Sequence, residues 1–429
     1  MQEGREGEET NNTINTDSNA STKATAINNK NNDKNDISRE AIFNMAAGLW
    51  VSKTLATALE LQVFSKLSGN KSVTLNELQK LLGMESRPTE ALVTALVSLR
   101  LLKLSNDQIG ERIYSNSRLS ETFLDVSKAN SYIGDIATIF DKHFYRNWDR
   151  LIDCLHSNKP LEEIVSMRRT MPRSEGPRAD IPPTTTINDL NTQTIEQIKT
   201  FTHGMYDINV GPALSLAKLF DFSKYSKLID IGGFSAGVYA IRAVEAYPSL
   251  SADVIISLEP VAQIANGYIK QFNLEHKVST RVFNIFEVEF TTREAEEEVI
   301  GQEIKKSNNN YDVAIVSNIL HRNNEEKNKL LLERIYKCLI PEKVNENNKK
   351  NSKNATSAII ISEWLLDDQK TGPISSALMN LNMILESSEG RTYSFAEVSD
   401  MLRSVGFTNI QKIEARGPTD FVIGYKNQS

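Results

Sequence analysis

Continuous apolar runs bounded by turn residues recur through the second half of the chain: LIDIGG from Leu228, DVIISL from Asp253, RVFNIF from Arg281, YDVAIVSNIL from Tyr311 and AIIISEWLL from Ala358. Between them lie stretches with apolar residues at helical spacing, among them LSLAKLF, PVAQIANGYIKQF and EEKNKLLLERIYKCL. A strand apolar on both sides must be covered on both faces, so the alternation predicts an α/β domain with a mostly parallel sheet and helices on each face. Ligands of such sheets lie beyond the C-terminal ends of the strands. The residues expected on that rim are Asp230 with Gly232, Ser257 with Glu259, Asn284, Asn318 to His321, and Glu363.

The first half has a different texture. Ala41 to Leu67 is apolar nearly all round, which predicts a helix buried on more than one side, in a core or a subunit interface. In VTLNELQKLLGM, Thr74 and Glu77 have capping-box spacing and Gly83 suits a helix stop. A helix from about Pro88, with Leu92, Leu96 and Leu99 inward, and a hairpin over RLLKLSNDQIGERIYSNS complete a winged-helix pattern. FDKHFYRNWDRLIDCLHSN predicts one more helix, with Phe144, Trp148, Leu151 and Leu155 on one face.

The remaining segments are polar. Residues 1–36, rich in Asn and Thr, lack the large side chains that would offset the entropy of ordering, so they read as a disordered tail. Inserts starting near Arg168, Thr291 and Pro341 read as surface expansions. The expected organisation is the tail (1–36), a winged-helix domain (37–165), a linker (166–200) and the α/β domain (201–429). The chain has 429 residues and a formal net charge of −6. That balance weighs against a nucleic-acid partner, since phosphate neutralisation needs a basic face, and no basic row lines the second helix of the wing. A dimerising role is therefore preferred for this domain over DNA reading. Cys154 and Cys338 sit in apolar helical patterns and read as reduced core thiols. No metal is expected. No apolar leader and no apolar run long enough to span a bilayer is present, so no membrane partner is expected, and a cytoplasmic location is.

LIDIGGFSAGVYAI, Leu228 to Ile241, reads as strand, glycine turn and helix start, as in many proteins that hold a nucleotide-like cofactor. Around it, four stretches occur in a fixed order: FTHGMYDINVGPALSLAKLFDFSKYSKLIDIGG, SNILHRNNEEKNKLLLERIYKCL, ISEWLLDDQKTGPISSALMNLNMIL and EGRTYSFAEVSDMLRSVGF. From about Ile42 to Tyr425 the chain resembles the dimeric, class I fold S-adenosylmethionine-dependent O-methyltransferases related to hydroxyindole, caffeate and antibiotic O-methyltransferases. The resemblance implies a Rossmann-like methyltransferase domain behind a winged-helix dimerisation domain, with WDRL at Trp148 in the latter.

It also implies roles. The general base is His321, Glu363 orients it, and Glu389 is the nearest candidate for a second carboxylate, whose family position is taken by Gly390. Asp230, Gly232 and Gly233 correspond to the cofactor turn, although Phe234 and Ala236 stand where the family has glycine; Gly237 offers a one-residue shift. Ser257 aligns with the ribose-binding acid. Glu259, two residues on, keeps the same facing if the strand continues. Asn284, beside Ile285, replaces the adenine-binding Asp and keeps an acceptor oxygen. Met205 and Phe201 border the methyl group and the acceptor, and Met379, Asn382 and Met383 line the acceptor pocket. Arg322 and Asn323 replace the family's Asp-Trp after the base. The expected activity is methyl transfer from S-adenosylmethionine to a hydroxyl of a small, aromatic acceptor. A dimeric scaffold retired from catalysis is the alternative, motivated by the altered turn.

Overall fold

The computed structural model describes residues 39–164, 192–286, 311–339, 357–415 and 417–426. The tail and the three polar inserts lie outside the described residues.

Helix α1 (Arg39–Ala46) carries no buried residue. The expected single buried helix over the next apolar run is in fact two, α2 (Gly48–Glu60) and the short α3 (Val63–Lys66), separated where Gln62 takes a left-handed conformation, φ 56°. Only Ala56 and Ala58 of α2 are buried, and Leu49, Trp50 and Val51 are exposed. Strand β1 (Val73–Thr74) leads into α4 (Leu75–Leu82), which starts on the expected capping box: Thr74 Oγ1 accepts from Glu77 N, and Thr74 N donates to Glu77 Oε2 at 2.8 Å. Gly83, φ 65°, ends that helix. Helix α5 (Ser86–Ser98) buries Val93 and Leu96. Strands β2 (Leu102–Asn106) and β3 (Arg112–Asn116) form the hairpin, with β1 on its outer edge. Phe64, Leu78, Leu96 and Tyr114 meet in the core of this unit.

Helix α6 (Arg118–Phe123) leads towards a broken helical run. The predicted continuous helix over 140–158 is instead α7 (Asp135–Ile139), a π-helical turn (Phe140–Phe144), α8 (Tyr145–Trp148) and α9 (Leu151–Ser157). The wide turn shifts the facing of the helices beyond it, so Cys154 is buried and Leu155 stays exposed. Helix α10 (Thr192–Leu219) starts inside the stretch expected as a linker. Ile198, Thr202 and Met205 continue one buried stripe at helical spacing, which carries the helix back past Phe201.

The α/β domain holds a 7-stranded sheet in the order β6-β5-β4-β7-β8-β10-β9. Its parallel part is β4 (Lys227–Ile231), β5 (Ser251–Ile256), β6 (Val278–Val282), β7 (Val313–Ser317) and β8 (Ser357–Glu363). Between them run α11 (Val238–Ala246), α12 (Glu259–Gln271) and α13 (Glu325–Cys338). After β8 come α14 (Ile374–Glu386), α15 (Phe395–Ser404) and two antiparallel strands, β9 (Thr408–Ile413) and β10 (Asp420–Lys426). Alternate residues of each strand enter opposite cores: Leu228, Val254 and Ile315 pack with Leu216 and Ile241, while Ile229, Ile255 and Val316 pack with Leu331 and Leu402. Each such buried Leu or Ile contributes about 1.5–3 kcal/mol. The chain winds from β4 to β5 and β6 on one side and continues with β7 and β8 on the other. The strand order therefore reverses between β4 and β7, and a crevice opens beyond the strand ends at that point.

Candidate active site

The crevice begins at the glycine turn. After β4 the chain passes through Gly232 (φ −130°), a 3-10 turn over Gly233–Ser235 that opens on Gly233 at φ 47°, and two further residues with positive φ, Ala236 (φ 50°) and Gly237 (φ 74°), into α11. Asp230 is fully buried, and its Oδ2 accepts from Ala240 N at 2.9 Å, tying the strand to the first turn of the helix. Its Oδ1 has no partner among the described residues. Burial pushes the Asp230 carboxyl up to about 7, against the lowering effect of the Ala240 N–H. A Cβ on Gly232 would stand 2.2 Å from Ser235 Oγ and 2.6 Å from Ser317 Oγ, so any side chain there would displace both buried hydroxyls. A Cβ on Gly233 would meet nothing within 4 Å. The outer side of the turn thus faces open space, despite the side chain at 234. The Phe234 ring leans edge-on against Phe201, centroids 4.9 Å apart, and forms a wall of the cleft.

The cleft measures about 980 Å³ counted out to its open mouth. One part is lined by Ile231, Gly232, Gly233, Ile255, Ser257 and Ile285, with Phe286 beside them. Apolar plates around a glycine turn, with one exposed serine hydroxyl at the end of β5, fit a nucleoside-bearing ligand.

Opposite lies His321, in the 3-10 turn Leu320–Arg322 that comes after β7. His321 and Glu363 are both nearly fully buried, and His321 lines the cleft. Its Nδ1 stands 2.7 Å from Glu363 Oε2, while Glu363 Oε1 accepts from Leu320 N at 2.8 Å. A carboxylate only accepts, so Nδ1 carries a proton, and in the neutral imidazole Nε2 is then the nitrogen with the lone pair. Three residues earlier, Asn318 takes a left-handed conformation, φ 55°, held by Trp364 Nε1 donating to its Oδ1 and by its own Nδ2 donating to Asn209 Oδ1.

The far end of the cleft is built by α14 and the π-helical turn. Phe144, Phe201, Met205, Met379, Asn382 and Met383 line it. Trp148 Nε1 donates to Asn382 Oδ1 at 3.0 Å, fixing the amide. Glu386 also lines this end, as do Arg322 and Asn323.

The structure thus brings together Asp230, Gly232, Gly233, Ser257, Ile285, Met205, Phe201, Met379, Asn382, Met383, His321 and Glu363. Five expected residues are not in the lining: Asp230 and Glu363 are buried behind Gly232 and His321, and three stand apart. Glu259 was placed by continuing the β5 strand, but that strand ends at Ile256 and Glu259 is the exposed first residue of α12. Asn284 lies beyond the end of β6, and its Oδ1 already accepts from Phe286 N at 3.1 Å. Glu389 is ion-paired with Lys327 at 2.7 Å, with its side chain 39% exposed. Sequence reasoning missed Glu386, Phe144 and Phe286. Glu386 bonds to His143, 243 residues away in sequence, which no spacing signal reveals.

Fold and crevice together define a methyltransferase of the doubly wound, class I type. A family model described as an O-methyltransferase dimerisation domain matches residues 43–125, and one described as an O-methyltransferase domain matches residues 185–408. The chain belongs to the S-adenosylmethionine-dependent O-methyltransferase family. It is similar to the 3-hydroxy-5-methyl-1-naphthoate 3-O-methyltransferase of Streptomyces sahachiroi, 25% identical over 87% of this chain and 91% of that one. It is 27% identical to the tetracenomycin polyketide synthesis 8-O-methyl transferase TcmO of Streptomyces glaucescens, over 90% of this chain and 96% of the relative. Among solved structures, human N-acetylserotonin methyltransferase in complex with SAM shares the fold with a TM-score of 0.70 at 21% identity, covering 92% of this chain and 100% of that one.

Proposed function

We propose that this protein moves a methyl group from S-adenosylmethionine to a hydroxyl of a small aromatic molecule, with His321 as general base and Glu363 as the group that orients it. The observation that carries this reading is the buried His321–Glu363 pair on the rim of the cleft, Nδ1 to Oε2 2.7 Å. When bound, S-adenosylmethionine supplies an electrophilic methyl group on a sulfonium. Gly232 and Gly233, with Asp230 buried beneath the turn, would hold its methionine end, Ser257 its ribose, and Ile255, Ile285 and Phe286 its base. Met205 and Phe201 border the reacting centre, and Met379, Asn382 and Met383 seat the acceptor.

A phenol attacks well only as it loses its proton, and its ordinary pKa near ~10 makes a positioned base useful. His321 Nε2 takes that proton. Glu363 then stabilises the imidazolium through Nδ1–H, and the apolar walls of Phe144, Phe201, Met205 and Met379 exclude water and hold the ring flat. The aromatic acceptor is supported by the names of relatives that act on a hydroxylated naphthoate and on acetylserotonin. The exposed apolar residues of α2 and the match to the dimerisation model support a homodimer through the N-terminal domain.

Calorimetric titration with S-adenosylhomocysteine, then methyl-transfer assays on a panel of phenols, tests the reading. The His321→Ala variant is expected to keep product-cofactor affinity and to lose about 10²–10⁴ in turnover, the usual contribution of a general base. No heat at millimolar ligand, or undiminished turnover in the variant, would sink the assignment.

A further inference from the structure

The acceptor end of the cleft has a charge that the reaction does not require. Glu386 sits on the last turn of α14, among apolar lining residues, with 15% of its side chain exposed. Its Oε1 accepts from His143 Nε2 at 3.1 Å and from Asn147 Nδ2 at 3.4 Å. No described residue bonds to Oε2. The π-helical turn produces this arrangement. It places His143 against Glu386 and Phe144 into the cleft, and one turn later Asn147 and Trp148 reach Glu386 and Asn382. π-turns of this kind are frequent at functional sites.

Beside the carboxylate stands a set of aromatic rings. Phe144 and Phe201 lie 6.3 Å apart, Phe201 and Phe234 4.9 Å, and His143 and Phe201 5.0 Å, each pair edge to face. A carboxylate next to tilted phenyl rings is the chemistry that holds an ammonium group, by charge pairing and by cation–π attraction. Burial would push the Glu386 carboxyl up, but the His143 hydrogen bond and charge, the charge of Arg322 and the Asn147 amide outweigh it and hold the group below the usual carboxylate range. Glu386 is therefore charged at neutral pH.

We infer that Glu386 selects the acceptor: the cleft takes a hydroxy-aromatic carrying a protonated amine, with the ammonium on Glu386 Oε2 beside the phenyl rings, and it disfavours the same ring carrying a carboxylate. This rests on the methyltransferase reading of the cleft. Arg322, next to His321, lines the same cleft, and His143 bonds the carboxylate directly; Arg322, and His143 when protonated, oppose Glu386 in sign, so the preference is the balance of these charges.

The test uses the full chain and two probes that share a ring and a hydroxyl but differ in tail charge, 5-hydroxytryptamine and 5-hydroxyindole-3-acetate. Each is titrated calorimetrically with and without S-adenosylhomocysteine. The amine is expected to bind about tenfold tighter or better, that is by about 1.4 kcal/mol. Glu386→Gln should erase or invert the preference, leaving Arg322 to set the sign, and Arg322→Gln should widen it. Melting temperature and S-adenosylhomocysteine affinity check the fold of each variant. Equal binding of the two probes, tighter binding of the acetate, binding of neither, or a ratio unmoved in the variants overturns the inference. Amine preference without any S-adenosylhomocysteine heat would overturn the methyltransferase reading and leave the selectivity standing. The reverse pattern would overturn the selectivity alone.

Discussion

Glu363 receives hydrogen bonds on both oxygens: Leu320 N on Oε1, and His321 Nδ1 with Trp364 N on Oε2. This fixes what Glu363→Gln would do. The amide oxygen keeps the 2.8 Å bond from Leu320 N and gives up the longer 3.3 Å bond from Trp364 N, which turns the NH₂ towards His321. Nδ1 must then accept, the imidazole proton moves to Nε2, and the atom that should take the phenolic proton no longer can. Turnover is expected to fall by about 10³–10⁴, the size seen when a carboxylate that holds a catalytic imidazole in its tautomer becomes an amide, while S-adenosylhomocysteine affinity holds. Steady-state kinetics beside calorimetry checks both halves. A second carboxylate, Asp207, makes stability depend on pH in the opposite sense to a carboxyl held low. Its Oδ2 accepts from Asp135 N at 3.0 Å, at the start of α7, but burial, with the charge of Asp135 adding, pushes it up to about 8. A raised carboxyl favours the protonated folded state. Its stabilisation is complete below the unfolded value of 3.8 and is lost as pH rises to about 8. Denaturant midpoints should fall across that window, and Asp207→Asn should flatten the fall. An unchanged slope in the variant would refute it.

At the scale of elements, the glycine turn shows which part of a motif is physical. Its requirements are positive φ and close approach. Gly232 and Gly233 meet them in place, through close approach and φ 47° respectively, while Ala236 accepts a left-handed conformation at φ 50° and Gly237 adds both, at φ 74° with a Cβ that would stand 2.9 Å from Val254 Cγ2. Gly237→Ala combines a left-handed penalty of about 1–2 kcal/mol with overpacking of about 1–3 kcal/mol. A loss of at least about 2 kcal/mol in unfolding free energy is expected, and a melt within a degree of wild type would contradict it. The strands were legible because an apolar run can only be buried, and the capping box at Thr74 because its partners are three residues apart. Glu259 was misplaced although Pro260 beside it marks a helix start. The π-helical turn at Phe140–Phe144 was not legible, since its sequence keeps ordinary helical periodicity. Glu386 was not either, because what makes it a site residue is a histidine brought from the other domain by the fold.

For the whole molecule, α2 needs a cover. Its sequence predicts burial, yet Leu49 is 42% exposed and Val51 48% exposed in the single chain. Such a surface is costly in water: covering a Leu or a Val fully contributes about 1.5–3 kcal/mol each. No helix among the described residues is long and apolar enough to cross a membrane, and residues 43–125 match the dimerisation model. A second copy of the chain is the occupant that satisfies all three observations. Light scattering should therefore report about twice the 48.1 kDa of one chain. The double variant Leu49→Glu with Val51→Glu places two charges on each side of that contact, where opposed like charges and their desolvation both work against association. It should scatter as a monomer with the α/β domain still folded by circular dichroism. Lys53 Nζ bonds to Asp141 at 2.6 Å, which ties α2 to the π-helical turn that carries His143 and Phe144. Loss of the dimer should thus weaken acceptor binding more than cofactor binding. A variant that stays dimeric, or that loses both affinities equally, would count against this arrangement.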